Sequence, residues 1–76
     1  MSVKLPRLTA SELARALTCF GFAHTHTTGS HMVFRHPDGR KTVVPYHAGE
    51  EIGIGLLLKI VKKDLRLTKE EFIRLL

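Results

Sequence analysis

An apolar stripe near the start of the chain predicts the first helix. Leu13, Leu17 and Phe20 stand at i, i+4 and i+7, so they share one helix face. Thr9 and Glu12 precede this stripe with the spacing of a capping box, in which each side chain bonds a backbone N–H left free at a helix start. The pattern therefore predicts a helix that begins just after Thr9 and buries one side.

Three short runs of alternating polarity predict strands over residues 22–27, 30–36 and 41–46. Pro37-Asp38-Gly39 joins the second run to the third as a type I turn whose glycine takes a positive φ. Such a turn sets the register of the hairpin. It predicts that Phe34 faces Thr42 and that Met32 faces Val44 on the core side of the sheet.

The same register predicts what lies on the other side of the sheet. Because side chains alternate along a strand, His31, Val33 and Arg35 should point away from the core. Lys41 and Val43 should lie beside them on the next strand. His31 is therefore expected on an exposed sheet face.

The last third of the chain predicts two helices. Leu57, Ile60 and Val61 form the inward stripe of a helix over about residues 55–63, and a second capping box, Thr68 to Glu71, opens a short final helix. The element order predicts an α+β fold with the helices on one face of a three-stranded antiparallel sheet. We expect a single domain over residues 1–76, with residues 1–8 as a flexible segment.

Composition narrows the classes of protein. Lys and Arg number 12 against 7 Asp and Glu, giving a net charge of +5 and a pI near 9.9. That balance indicates a polyanionic partner such as RNA, DNA or an acidic protein surface, although a basic domain without such a ligand stays open. One cysteine, no signal-peptide pattern and no apolar run near ~20 residues predict a cytoplasmic protein without disulfides or a membrane association.

The five histidines raise the possibility of a metal site. His24 and His26 are expected on one strand face, with other histidines in neighbouring elements. Zinc sites usually recruit cysteine or carboxylate ligands at tight spacing, whereas Cys19 stands alone on the first helix. The sequence therefore predicts no metal site and no cofactor.

Positive charge near His31 suggests a different chemistry. Arg35, Arg40 and Lys41 cluster at one hairpin end, and two of them should share a sheet face with His31. An imidazole can take the proton of a ribose 2′-OH near neutral pH, and cations can stabilise the charge growing on the phosphate. The residues alone leave open whether His31 cleaves RNA or is an incidental polar strand residue.

Basic residues of the later helix have two interpretations as well. Lys59, Lys62 and Lys63 lie outside its apolar stripe or at its end. They form a solvated helix face or a set of phosphate contacts. The positions of the charges are compatible with a solvated face and with phosphate binding.

Short motifs follow one another over about residues 9–76. They are Gly21-Phe22, Gly29-Ser30-His31, Phe34-Arg35-His36-Pro37-Asp38-Gly39-Arg40, Val44-Pro45-Tyr46-His47, Glu51-Ile52 and Leu-Thr-Lys-Glu-Glu-Phe at 67–72. In this order and spacing the chain resembles the HicA (YcfA-like) family of toxins, which are small mRNA interferases of type II toxin–antitoxin systems. Asp64-Leu65-Arg66 departs from the family, which usually has a glycine-containing turn there.

The resemblance implies a fold similar to the double-stranded-RNA-binding domain and ribosome-independent cleavage of mRNA. Because attack by the 2′-OH on its own phosphate needs no metal, we expect this cleavage to be metal-independent. The resemblance implies that His31 is the essential catalytic residue and that Gly29 and Ser30 support its motif. It also implies a HicB-like antitoxin that covers the His31 surface in a hetero-oligomer, with the free toxin a monomer or weak dimer. The expected phosphate contacts are Arg35, Arg40, Lys41, Lys59 and Lys62.

Two further functions remain open at this point. A non-catalytic RNA-binding domain would need only the basic surface and the fold. A degenerate toxin would keep its antitoxin interface and lose turnover.

Overall fold

The computed structural model describes residues 4–76. In chain order the elements are α1 (Ala10–Cys19), β1 (Ala23–Thr28), β2 (His31–Arg35), β3 (Lys41–Pro45), α2 (Ile54–Lys59), a π-helical segment (Ile60–Asp64) and α3 (Lys69–Arg74). The strands form one antiparallel sheet in the order β1-β2-β3. The predicted α+β class and the order helix, three strands, helices are confirmed.

Capping boxes start α1 and α3, as the sequence predicts. The Thr9 N–H donates to Glu12 Oε1 at 2.8 Å, and the Glu12 N–H donates to Thr9 Oγ1 at 3.2 Å. Thr68 and Glu71 repeat this exchange at 2.8 and 3.1 Å. In both boxes the threonine backbone N–H lowers the pKa of the glutamate carboxyl, because the bond favours its charged form.

The register of the second hairpin follows the prediction. Phe34 pairs with Thr42 and Met32 with Val44, on the side of the sheet that we call the inner face. The helices pack against this face and complete the core, whose fully buried side chains include Leu13, Leu17, Phe34, Val44, Leu57, Ile60, Val61, Leu65 and Phe72. Gly39 of the connecting turn has φ +101°, which a residue with a Cβ adopts only with strain.

The helix predicted over about residues 55–63 has two parts. The α-helix ends at Lys59 and the chain continues to Asp64 in a wider π-helical turn, with the Leu65 N–H donating to Ile60 O at 2.8 Å. Arg66 follows with φ +58°. Glycine adopts a positive φ at no steric cost, whereas a residue with a Cβ adopts it with strain. A glycine-containing turn would therefore suit this position, and this sequence has an arginine there instead.

The segment before α1 is folded against the domain from Leu5 onward. Leu8 is buried, and its carbonyl accepts a hydrogen bond from the Ile52 N–H at 2.7 Å. Leu5 packs on the core, and Thr9 bridges to Glu51. The flexible segment that the sequence predicts over residues 1–8 stays a prediction: residues 1–3 lie outside the described part, and Leu5 and Leu8 contact the core.

The first strand breaks the regular alternation that the sequence suggests. His24 pairs with Phe34, but His26 pairs with Val33, which leaves Thr25 as an extra residue in a β-bulge. The expectation that His24 and His26 share a strand face is wrong, because the bulge reverses the alternation between them. His24 lies on the inner face, where its ring stacks on Phe34 with centroids 5.2 Å apart.

Helix length also bears on membrane association. Across residues 4–76, no helix combines the length and apolar content that crossing a membrane requires.

Candidate functional site

The second face of the sheet, which we call the outer face, carries three rows of three residues. Strand pairing and alternation give the rows Ala23, Arg35 and Lys41; His26, Val33 and Val43; and Thr28, His31 and Pro45. All of these except Val33 and Pro45 are exposed. Residues 4–76 therefore leave the outer face open, while the helices cover the inner face.

His31 lies at a corner of this surface, as the register predicts. It is the first residue of β2, is exposed, and pairs with Thr28 on one side and Pro45 on the other. No group among residues 4–76 donates or accepts a hydrogen bond at its imidazole, although hydrogen bonds hold several other histidines of the chain. The ring is therefore free to bond a ligand on this face.

Gly29 and Ser30 lie directly before His31 in the chain. They are the two central residues of the turn between β1 and β2, and Gly29 has φ +59°. A positive φ at the first central position alone is the pattern of a type II′ hairpin turn, which requires glycine there. The Ser30 carbonyl accepts a hydrogen bond from the Tyr46 N–H at 2.6 Å, so the turn is tied to the chain beyond β3.

Arg35 and Lys41 form the cationic row of the outer face. They pair directly across β2 and β3, and both are exposed. Four residues of extended strand separate Arg35 from His31, about 13 Å along the chain. The cationic row and His31 therefore lie at opposite ends of the outer face.

Arg40 is adjacent to Lys41 in sequence but lies elsewhere. Its Nη1 donates to Leu65 O at 2.7 Å, its Nε donates to Asp38 Oδ2 at 2.8 Å, and its guanidinium stands 5.4 Å from the centre of the Phe22 ring. Through these contacts the guanidinium joins the β2–β3 hairpin to the helices that pack on the inner face, which we call the helical layer. The structure does not bring Arg40 onto the face that carries His31.

The lysines of the later helix also lie apart from His31. Ile60 and Val61 of this helix are buried in the core beneath the inner face, so the exposed Lys59 and Lys62 belong to the helical layer. Lys59 Nζ is 3.9 Å from Asp64 Oδ2. They are not part of the outer face.

His26 is the outer-face residue that sequence reasoning missed. It is exposed, and its Nδ1 lies 3.2 Å from Thr25 Oγ1. The run His-Thr-His-Thr-Thr offers threonine or histidine at every position, so its polarity gives no signal for the bulge. Only the pairing with β2 reveals that His26 and His31 share a face.

The remaining histidines have other surroundings. His36 is half-buried, and its Nε2–H donates to Phe20 O at 3.1 Å. Its ring lies so close to Gly21 that a Cβ there would stand 3.0 Å from His36 Nε2. Within residues 4–76, no three His, Cys, Asp or Glu side chains are grouped so that they could hold a metal ion.

These features define a small basic α+β protein whose sheet is covered on one face and carries an exposed histidine on the other. The family described as HicA toxin of bacterial toxin-antitoxin matches residues 10–67, about three quarters of the chain. The chain therefore belongs to the HicA toxin family and is a toxin of a toxin–antitoxin system, a class that acts with an antitoxin partner. A search of curated proteins found no match.

Proposed function

We propose that this toxin is a metal-independent endoribonuclease that cleaves mRNA on the outer face of its sheet. The observation that carries the proposal is the placement of His31: exposed, held by a tight turn, and without a hydrogen-bond partner among residues 4–76. A histidine that serves only the fold would be expected to resemble His36, which is half-buried and bonded at both ring nitrogens.

The proposed reaction uses the substrate's own nucleophile. The His31 imidazole takes the proton of a ribose 2′-OH, and the 2′ oxygen attacks the adjacent phosphorus. The products are a 2′,3′-cyclic phosphate and a 5′-hydroxyl. Because RNA supplies the attacking oxygen, the reaction needs no metal-bound water.

Charge on the outer face supports RNA as the substrate. The chain has a net charge of +5, and Arg35 and Lys41 present two cations side by side on this face. Phosphate contacts of this kind supply most of the sequence-independent affinity of proteins for nucleic acids. We propose that they bind another phosphate of the same RNA strand, away from the scissile one, and so set the register of the RNA on the sheet.

The same face is the proposed interface with a HicB-like antitoxin. Val43 is 38% exposed and stands between the cationic row and Pro45, so the face combines apolar and basic contacts. An antitoxin seated there would cover His31 and exclude RNA. Since mRNA is the proposed substrate, the proposed location of the toxin is the cytoplasm.

The test compares two histidines on the two faces of the sheet. Chains made by cell-free synthesis are assayed on a long single-stranded RNA with a chelator present. His31→Ala should lower the cleavage rate by at least about 10²-fold, while His24→Ala, on the inner face, should stay close to wild type. Melting temperature and circular dichroism verify that both variants are folded.

Other outcomes would contradict the proposal. A His31→Ala chain that cuts RNA at the wild-type rate would exclude His31 as a catalytic residue. A wild-type chain that binds RNA without cutting it would support the RNA-binding alternative. Expression of the wild-type chain without growth arrest or mRNA loss would indicate a degenerate toxin.

A further inference from the structure

A second histidine lies beside His31 on the outer face. His26 pairs with Val33, which is two residues along β2 from His31. Diagonal neighbours of this kind on one face of a sheet are about 7–8 Å apart, within reach of two long side chains. An RNA phosphate bound over this pair would have an imidazole on either side.

The β-bulge aims His26 at this surface. Without an extra residue, His26 would share the inner face with His24; Thr25 is the inserted residue that turns it outward. Bulges are over-represented next to active sites, where they re-aim a side chain. The bulge in β1 therefore places His26 on the same face as His31, in addition to changing how the strands pair.

Thr25 also orients the His26 ring. Its hydroxyl donates to Val33 O at 3.3 Å, so its oxygen accepts from the Nδ1–H of His26 at 3.2 Å. Among residues 4–76, no group bonds His26 Nε2. When the ring is protonated, its Nε2–H is the donor that a ligand on the outer face would meet.

We infer that His26 is the general acid of the cleavage, an inference that rests on the proposed function. As the bond from O2′ to phosphorus forms and the bond from phosphorus to O5′ breaks, His31 takes the 2′-OH proton and His26 Nε2–H gives a proton to O5′. The attacking and leaving oxygens lie roughly in line through the phosphorus, so the acid and the base must flank it. One proton is taken and one is given.

Other candidates for the proton donor fit less well. Arg35 keeps its proton in proteins, and Lys41 lies in the same distant row. His47 stands beyond the end of β3 and lines a pocket of about 150 Å³ together with Glu50 and Glu51. Two carboxylates there would repel an RNA phosphate.

The experiment asks whether a substrate that needs no acid bypasses the loss of His26. After the cleavage site in an RNA oligonucleotide is mapped, the O5′ at that site is replaced by sulfur. A thiolate leaves without a proton, because thiols have a pKa near ~8.5, far below that of an alcohol. Wild type, His26→Ala, His31→Ala, His47→Ala and the inner-face control His24→Ala are assayed on both substrates.

The proposed role predicts a specific pattern. His26→Ala should lower kcat/KM on the oxygen substrate by about 10²–10⁴-fold and should cut the sulfur substrate at close to the wild-type rate. His31→Ala should fail on both substrates, and His24→Ala and His47→Ala should resemble wild type on both. Because His26 is exposed, its replacement should leave the melting temperature nearly unchanged.

Failure of the inference is distinguishable from failure of the proposed function. If His26→Ala cuts the oxygen substrate normally while His31→Ala does not, the enzyme stands and His26 is not its acid. If His26→Ala is equally slow on both substrates, the assignment to His26 is overturned. The assignment is also overturned if His47→Ala is the variant that is slow on the oxygen substrate and close to wild type on the sulfur substrate. If the wild-type chain cuts neither substrate, the proposed function and this inference fall together.

Discussion

The two faces of the sheet use the same three strands for different purposes. On the inner face Phe34 is 1% exposed, and Thr42, also 1% exposed, donates its hydroxyl to Asp64 Oδ2 at 2.9 Å. On the outer face His31, Arg35 and Lys41 are exposed and have no hydrogen bond or ion pair to other side chains among residues 4–76. The inner face therefore stabilises the fold, and the outer face leaves its polar groups available to a ligand.

The largest effect on stability should come from the inner face. Phe34→Ala removes a fully buried ring and leaves a cavity, which should cost about 3–5 kcal/mol of unfolding free energy. At roughly 0.05–0.15 kcal/mol per residue, a 76-residue domain has about 4–11 kcal/mol in total, so this variant should lose a large part of its stability. Chemical denaturation followed by circular dichroism measures the change.

Val43→Ala is the matched control on the outer face. Val43 is 38% exposed, so its truncation should cost less than about 1 kcal/mol. Equal losses for Phe34→Ala and Val43→Ala would mean that both faces stabilise the fold, against the division of roles described above.

Arg40 and Lys41 are neighbours in sequence, but Arg40 bonds to the helical layer and Lys41 is exposed on the outer face. Arg40→Ala removes a charge-assisted bond to Leu65 O and should cost about 1.5–3 kcal/mol. Lys41→Ala should leave stability unchanged, weaken RNA binding, and lower the salt dependence of the binding constant by about 0.7, the slope that corresponds to one neutralised phosphate. Denaturation and binding titrations at several salt concentrations measure both quantities.

The reverse pattern would contradict this division. If Arg40→Ala lowered the salt dependence while Lys41→Ala lowered stability, the RNA would contact the hairpin from the helical side. The proposal that the outer face binds RNA would then be wrong.

The smallest effect concerns pH and the turn between β2 and β3. The Arg40 backbone N–H, at 3.0 Å, holds the pKa of the Asp38 carboxyl below its ordinary value of 3.8, with help from the Arg40 and His36 side chains. The ionised Asp38 carboxylate therefore stabilises the folded state above pH 3.8, and this stabilisation is lost as the pH falls through the lowered pKa. Melting temperatures of wild type and Asp38→Ala should differ at neutral pH and converge in acid; a constant gap would contradict this.

Local patterns allowed much of the fold to be predicted. Capping boxes marked the starts of α1 and α3, and the Pro37-Asp38-Gly39 turn set the β2–β3 register. That register sufficed to put His31 on the exposed face. In each case the determining interactions join residues close together in the sequence.

Features that depend on distant contacts were not predictable in this way. The bulge at Thr25 depends on how β1 meets β2, and a run of threonines and histidines gives no preference for either face. Arg40 is drawn from the hairpin to the Leu65 carbonyl, 25 residues along the chain. The hydrogen bond from the Ile52 N–H to the Leu8 carbonyl likewise depends on a partner that the local sequence does not identify.

Mass spectrometry of the RNA ends made by the purified wild-type chain, with a chelator present, tests the central claim most directly. Cleavage through the 2′ oxygen over His31 predicts fragments that end in a 2′,3′-cyclic phosphate and begin with a 5′-hydroxyl. It also predicts that a 2′-O-methyl RNA of the same sequence stays intact. Fragments with 3′-hydroxyl and 5′-phosphate ends, or cleavage of the 2′-O-methyl RNA, would contradict the mechanism.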